Sequence, residues 1–173
     1  ASYAKNFGDH WETKAGLRYE NTQAKSFTPA DNTGNNYNYG QWFPTAFVSY
    51  KEEKNVISLS YSRRINRPSM SNLNPFRWYE NPYSYSSGNP LLRPSYINNL
   101  ELGYTYNNKW SASIYYLRLT DGFGQVAFLD GLSQIGTYLN HYNNNFYGFN
   151  TSYTDKFFKI WEASLSVNGS LTD

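Results

Sequence analysis

The sequence predicts an all-β fold, in the form of an antiparallel up-and-down segment of a transmembrane β-barrel, and three observations predict it. Apolar and aromatic residues recur with a period of two along most of the chain, whereas helical periodicity is nearly missing. Aromatic residues make up 20% of the 173 residues and charged ones 16%, against about 25% in a typical soluble domain, yet the mean hydropathy is −0.73. Strands with one apolar face and one small polar face reconcile a heavy aromatic load with a polar average. Connections also alternate long and short, as they do when tight turns lie on one side of a membrane and loops on the other.

Taken in order, Trp11, Thr13, Ala15, Leu17 and Tyr19 form one face of a first strand, opposite Glu12, Lys14, Gly16, Arg18 and Glu20. A stretch rich in Gly and Asn, from about 28 to 40, reads as a loop. Ala46, Val48 and Tyr50 make the next apolar face, ending at a turn-like run over 51–55. Ile57, Leu59 and Tyr61 then alternate with Ser58, Ser60 and Ser62. Residues 66–95 hold five prolines and many Asn, Ser and Tyr, a connection too long to be a plain link. Leu100, Leu102, Tyr104 and Tyr106 lead through the tight turn Asn107-Asn108 to Trp110, Ala112, Ile114 and Tyr116, in a strand that runs on toward Phe128. After Asp130-Gly131 a strand from about 136 to 153 carries Tyr147, Phe149, Thr151 and Tyr153 on one face. Thr154-Asp155-Lys156 reads as a turn, and Trp161, Ala163, Leu165, Val167 and Leu171 close the series.

This makes seven strands in hairpin order. The short turns near Glu53, Asn108 and Asp155 belong on the periplasmic side, and the loops near Asn35, Tyr79 and Gly131 outside. Trp11, Tyr50, Tyr104, Tyr106, Trp110, Tyr153, Phe157, Phe158 and Trp161 then fall near one depth, as an interfacial aromatic girdle. Parity places Arg18, Glu20, Arg64 and Glu101 on the lumen side, with Glu12, where cross-strand ion pairing is their structural role.

Composition also bounds function. A net charge of +2 and a pI near 8.6 do not suit nucleic acid, and no cysteine is present for a disulfide or thiolate metal site. No run approaches the roughly 18 apolar residues of a membrane helix. His10 and His141 are too far apart to suggest a metal site, and Asp31-Asn32-Thr33-Gly34 lacks the spacing and closing Glu of a calcium loop. No nucleophile elbow, phosphate loop or triad pattern occurs, so no catalysis and no cofactor are expected.

The segment from Phe43 to Thr120 resembles the barrel of TonB-dependent receptors, in particular the outer-membrane β-barrel family common in Bacteroidota. Phe43-Pro44 precedes a strand, followed by the run Leu59-Ser60-Tyr61-Ser62-Arg63-Arg64-Ile65-Asn66-Arg67-Pro68. Leu73-Asn74-Pro75-Phe76 and Gly88-Asn89-Pro90-Leu91-Leu92-Arg93-Pro94 come next, then the strand pair Asn99–Tyr104 and Ser113–Tyr116. Upstream, Ala15-Gly16-Leu17-Arg18-Tyr19-Glu20 fits the family's preceding strand. The resemblance implies import across the outer membrane of a Gram-negative bacterium, of a siderophore, glycan, peptide or cobalamin. It also implies a plug domain in the barrel and an energy-coupling complex of the TonB type, reached through segments outside this chain. Residues 1–173 accordingly read as a partial barrel domain with no plug, signal peptide or natural C-terminus. Such transporters use about 22 strands, or roughly 540 residues at this spacing, so the chain reads as about a third of a barrel.

The 66–95 connection is the best ligand candidate: Asn74, Phe76, Trp78, Tyr79, Tyr83 and Tyr85 offer aromatic faces beside amides and hydroxyls, suited to sugars or flat chelates. The competing expectation is that these rings pack the loop on itself or form an outer girdle. Arg63 has membrane-side parity near the outer rim, where lipopolysaccharide phosphates are its natural partners. Two alternatives stay open: a secreted, soluble β-rich module that binds glycans, and an outer-membrane barrel with a structural role and no transport.

Overall fold

The structure, a computed structural model, describes residues 1–28, 33–157 and 161–173, with side chains other than those of 24–37 and 157. Among the described residues ten strands form one sheet: β1 (Ser2–Phe7), β2 (Trp11–Thr28), β3 (Thr33–Glu52), β4 (Asn55–Asn66), β5 (Arg77–Asn81), β6 (Ser84–Ser87), β7 (Ser95–Tyr106), β8 (Trp110–Asp130), β9 (Ser133–Phe157) and β10 (Trp161–Thr172). One short helix, α1 (Met70–Leu73), lies between β4 and β5. Eight strands run as an antiparallel meander, β1-β2-β3-β4-β7-β8-β9-β10. The sequence gives seven of these; β1 is additional, and Gly8 in the left-handed region (φ 62°) opens the turn that joins it to β2.

Register, not a packed core, organises the molecule. Val48, Leu59, Leu102, Ile114 and Phe149 are successive partners across five strands and share one face, where most of them are exposed. One residue out of step, Ser49, Ser58, Gly103, Ser113, Asn150 and Asn168 form a row on the opposite face. Because strand side chains alternate, one slip in register would exchange the two faces. Among the described residues the only buried large apolar side chains are Phe43, Leu92 and Ile135. Among the described residues no second layer covers the apolar face, the arrangement of a sheet whose apolar side meets a medium other than water. Among the described residues no helix is long and apolar enough to cross a membrane.

The turns explain the tight end. Asn107 and Asn108 both take positive φ (51° and 55°), and the Lys109 N–H donates to the Tyr106 carbonyl at 3.0 Å. Asn tolerates this region better than other residues with a Cβ, so the Asn-Asn pair suits the hairpin turn. The expected turn over Thr154-Asp155-Lys156 is corrected: these residues continue β9, paired with Ser164, Ala163 and Glu162. Their polarity suits a strand that has already left the apolar belt.

The other end differs from expectation as well. The 28–40 stretch is not an irregular loop: β2 and β3 stay paired up to Thr28 and Thr33, although Asp31, Asn32 and Phe158 lie outside the described residues. The β8–β9 hairpin likewise continues to Asp130 and Ser133, well past Tyr96↔Thr120, where β7 ends its pairing with β8. Beyond a membrane neither face needs to be apolar, so these paired extensions carry no period-two signal.

The 66–95 connection is also ordered. Ser69 caps α1, and β5 and β6 form a hairpin. The connection joins sheet neighbours β4 and β7, yet its hairpin reaches two strands further and pairs β6 in parallel with β9, Ser84–Ser86 against Gln134–Gly136.

Candidate functional site at the loop end of the sheet

The six loop residues expected to bind ligand do not converge on one face. Tyr79 and Tyr85 are cross-strand partners with rings 5.3 Å apart, and the Arg77 guanidinium lies 5.0 Å from the Tyr85 ring. Phe76 and Trp78 are two residues apart and stack edge-on at 5.0 Å. They present a second, separate aromatic surface, with Trp78 65% exposed. Tyr83 is exposed at the hairpin tip, where its N–H donates to Asn81 Oδ1 at 2.8 Å. Asn74 is used structurally: its Oδ1 accepts from the Phe76 N–H at 3.1 Å and its own N–H closes α1 onto Met70. The loop therefore offers a Phe76–Trp78 platform, with Asn74 as its scaffold.

Residues outside the expected ligand set hold the loop down, Asn89 and Arg93 of the Gly88–Pro94 run together with Asn140 and Asp121, which the sequence did not single out. The Asn140 side chain accepts from the Arg93 N–H and donates to the Arg93 carbonyl, both at 2.9 Å, and to the Asp121 carbonyl at 2.7 Å. The Asn89 amide donates to the Tyr138 carbonyl at 2.9 Å, and Arg93 pairs with Asp121 at 3.0 Å. Gly88 is cradled by backbone: a Cβ there would lie 2.6 Å from the carbonyl oxygens of Asn72 and Asn74 and 2.7 Å from that of Ser71. Only glycine fits, which gives the Gly88-Asn89-Pro90 run its structural reason.

The lumen-parity residues fall into two groups. Arg18 lies 5.3 Å from the Phe43 ring and pairs with Glu20 at 2.8 Å. Glu20 also pairs with Arg67, which donates in addition to Thr22 at 3.4 Å. This cluster fills a seam between β3 and β4. Their pairing stops at Thr45↔Ser62, next to Pro44, which has no N–H to continue it. Arg63 lies at the same seam, 5.1 Å from the Tyr96 ring, and donates to Gln41 at 3.4 Å. Arg64 shares this end of the polar face and is exposed. Glu101 is separate, on β7 between Ser60 and Tyr115, in the wall of Ser, Asn and Gly residues.

At the tight end, Trp11, Tyr50 and Tyr104 share a row with Ile57, and Tyr106, Trp110 and Tyr153 share the next. Trp11 contacts Tyr50 at 4.9 Å and Tyr104 contacts Trp110 at 5.5 Å. Trp161 lies two rows lower than Tyr153, opposite Phe157, whose side chain is outside the described residues. Below these rows Lys109 pairs with Asp155 at 2.7 Å, and Tyr153 and the Lys156 N–H also donate to that carboxylate. These bonds, led by that from Lys109, hold the Asp155 carboxyl below the usual carboxylate range and raise the Lys109 ammonium. His10 and His141 each contact a backbone carbonyl, of Lys51 and Leu139, and among the described residues no group of three His, Cys, Asp or Glu side chains gathers.

A one-layer meander with an uncovered apolar face, a polar opposite face and an aromatic belt beside its tight turns is the wall of an outer-membrane β-barrel. Comparison with known proteins agrees. The family model described as the outer membrane protein beta-barrel family matches residues 1–173, and the chain belongs to that family. Its place is the outer membrane of a Gram-negative bacterium, which removes the secreted soluble module as an alternative. No curated protein matches the chain. Among solved structures the chain is similar to the Serratia marcescens hemophore receptor HasR, at 12% identity and TM-score 0.74, covering 98% of this chain and 33% of the receptor. It is also similar to the Neisseria meningitidis iron transporter FrpB, at 16% identity and TM-score 0.68, covering 99% and 24%. A third is the Pseudomonas aeruginosa siderophore receptor PirA, at 17% identity and TM-score 0.62, covering 94% and 34%. The chain thus spans a quarter to a third of the length of the receptors whose fold it shares.

Proposed function

We propose that the chain forms part of the barrel wall of a TonB-dependent outer-membrane receptor that binds a nutrient outside the cell and imports it. The observation that carries this reading is the loop end. The 66–95 connection is folded, bolted to the β8–β9 extension through Asn89, Arg93 and Asn140, and presents the exposed Phe76–Trp78 pair. A barrel serving only as a wall has no need of an anchored aromatic platform there. The likeness of fold to a hemophore receptor, an iron transporter and a siderophore receptor supports the same class of activity. In this reading Phe76 and Trp78, held by the Asn74 scaffold, supply the ligand contacts, with the ring of Trp78 the principal one for a flat chelate or a sugar, while Tyr79 and Tyr85 lie on the other, separate surface and Tyr83 at the hairpin tip. Arg18, Glu20, Arg64 and Glu101 face the lumen beside a plug domain contributed by the rest of the protein. Lipid surrounds the aromatic belt, and an energy-coupling complex drives release. No residue of this segment carries out catalysis.

Uptake into cells expressing the full-length protein tests the proposal, using radiolabelled iron chelates and glycans with and without the energy-coupling complex. Accumulation that needs both the receptor and the complex, and falls several-fold in Trp78→Ala, is expected. Accumulation of none of these compounds, with the barrel correctly inserted, would favour the structural, non-transporting barrel.

A further inference from the structure

Near the outer end of the sheet β3 keeps one neighbour and loses the other. It stays paired with β2 as far as Thr28↔Thr33, and β4 stays paired with β7 as far as Asn66↔Ser95. The ladder between β3 and β4 nevertheless ends at Thr45↔Ser62. We propose that the β2–β3 ribbon beyond this row is a hinged flap at the mouth of the barrel, pivoting at Pro44 and latched by Glu20 and Arg67 to the root of the 66–95 connection. The flap rests on register and contacts alone and is independent of the receptor reading.

A missing donor makes the pivot. The Leu17 N–H donates to the Ala1 carbonyl at 2.9 Å and the Ala1 nitrogen to the Leu17 carbonyl at 3.0 Å, so Leu17 turns both backbone groups toward β1. Opposed residues of an antiparallel ladder either bond to each other or both turn away. Pro44, the partner of Leu17, therefore faces β4, where the next pair in register would be with Arg63. Proline has no N–H to give the Arg63 carbonyl, and the ladder stops. The Thr45↔Ser62 row continues through Asn99 to Leu117, seven residues from Trp110 on β8. That is about 24 Å along a tilted strand, in the outer third of an apolar band about 25 Å tall. From there the ribbon runs out of the membrane.

The ribbon is cohesive in itself and only tacked to β4. Its two strands keep their ladder, the Tyr19 and Trp42 rings pack across it at 4.8 Å, and Gly40 lies under the Tyr19 ring where a Cβ would collide. Phe43, 2% exposed, fills its base beneath the Arg18 guanidinium. Toward β4 and the connection, the links among the described residues are side chains. Arg67 donates to the Glu20 carboxylate and, at 3.4 Å, to Thr22, while Arg63 donates to Gln41 at 3.4 Å. These links hold one strand of the ribbon each, Glu20 and Thr22 on β2 and Gln41 on β3. Arg18 also pairs with Glu20, at 2.8 Å, but belongs to the ribbon and only orients the carboxylate. Glu20 and Arg67 both reach solvent, and ion pairs of that kind yield far more easily than a cooperative ladder. Arg67 directly follows β4, so release of the latch frees the flap and the root of the connection together.

The test uses the full-length protein in nanodiscs, with any other cysteines replaced and nitroxides on Asn38→Cys of the flap and Asp130→Cys of the β8–β9 tip. Lys54→Cys with Lys156→Cys provides a reference pair across the tight end. Pulsed electron paramagnetic resonance reads the distance distributions, and a heat shift on gels identifies folded barrels. Glu20→Ala should roughly double the width of the flap distance and leave the reference unchanged. Pro44→Val, added to Glu20→Ala, supplies an N–H facing the Arg63 carbonyl and should return the width to that of the wild type. Salt at about 1 M should widen the flap distance in the wild type, a comparison that needs no variant. An unchanged width in folded Glu20→Ala, a width that Pro44→Val does not narrow, or a wild-type width indifferent to salt would each overturn the flap.

Discussion

Asn140 on β9 holds Arg93 by both of its backbone groups, accepting from the N–H and donating to the carbonyl at 2.9 Å each. A side-chain amide can do this because it carries an acceptor and two donors in one plane, and here the second donor reaches the Asp121 carbonyl. Asp121 has positive φ (54°) at the irregularity where β8 and β9 change register, so the clamp stabilises the kink and the loop together. Asn140→Ala should free the 66–95 connection while leaving the barrel inserted. The loss is on the order of 2 kcal/mol for the three bonds. Hydrogen exchange should rise over Leu91–Ser95 and not over Leu100–Tyr106; unchanged exchange at both would show that the clamp contributes little.

The hairpin contact with β9 gives a sharper test. A Cβ added at Gly136 would lie 3.6 Å from the Ser86 Cβ, within the usual range for a disulfide. This segment contains no cysteine, so in a full-length protein with any other cysteines replaced Ser86→Cys with Gly136→Cys creates a single pair. Mild oxidation should crosslink it in intact outer membranes and shift the mobility of a fragment cut between the two sites. Failure to crosslink would mean that β6 does not rest on β9.

How far the sequence reveals this molecule depends on where each residue sits. Trp110 to Tyr116 alternate cleanly because one face meets lipid and the other the lumen, and the fold class followed from such runs. β1 escaped notice because Lys5 interrupts its apolar face; its ammonium turns toward the Phe7 ring at 4.8 Å. Gly8 was the usable signal. The paired extensions beyond Gly40 and Gly122 were illegible, since outside the membrane no face is selected to be apolar. The loop residues were recognised by type, but their division into a Tyr79–Tyr85 and a Phe76–Trp78 group depends on strand parity within a hairpin the Pro and Ser content concealed. Asn140, acting on a residue 47 positions away, left no local trace.

Opposite faces should respond differently to the same charge. Ile114→Arg places a guanidinium in the lipid belt and should destabilise the folded barrel by about 2–4 kcal/mol. Ser113→Arg faces the lumen wall and should cost much less. Unfolding of the full-length protein in urea with lipid vesicles measures both, and equal losses would contradict the assigned faces.

The tight end should be acid-sensitive through Asp155. Its carboxyl is held below the ordinary value of about 3.9, first by the Lys109 hydrogen bond. A lowered folded value means that the stabilisation is complete above the ordinary value and is lost as pH falls through the lowered one. Lys109 is raised by the same bond, so on the alkaline side the pair fades only as pH climbs through that raised value, and on the acid side it is lost together with the Asp155 charge. Exchange of the 107–109 turn amides, corrected for intrinsic rate, should therefore rise in acid in the wild type. In Asp155→Asn it should be faster at neutral pH and should lack that acid rise. The same profile in both proteins would show the pair to be uncoupled from the turn.

The central claim is that neighbouring residues of one strand face lipid and lumen in turn. Single cysteines placed at 111 through 116 in the full-length barrel, labelled in intact outer membranes, test it most directly. Positions 111, 113 and 115 should react with a charged, water-soluble maleimide. Positions 112, 114 and 116 should react only with an apolar reagent that partitions into the bilayer. Labelling of all six by the charged reagent, or a pattern without a period of two, would contradict a membrane-spanning β8.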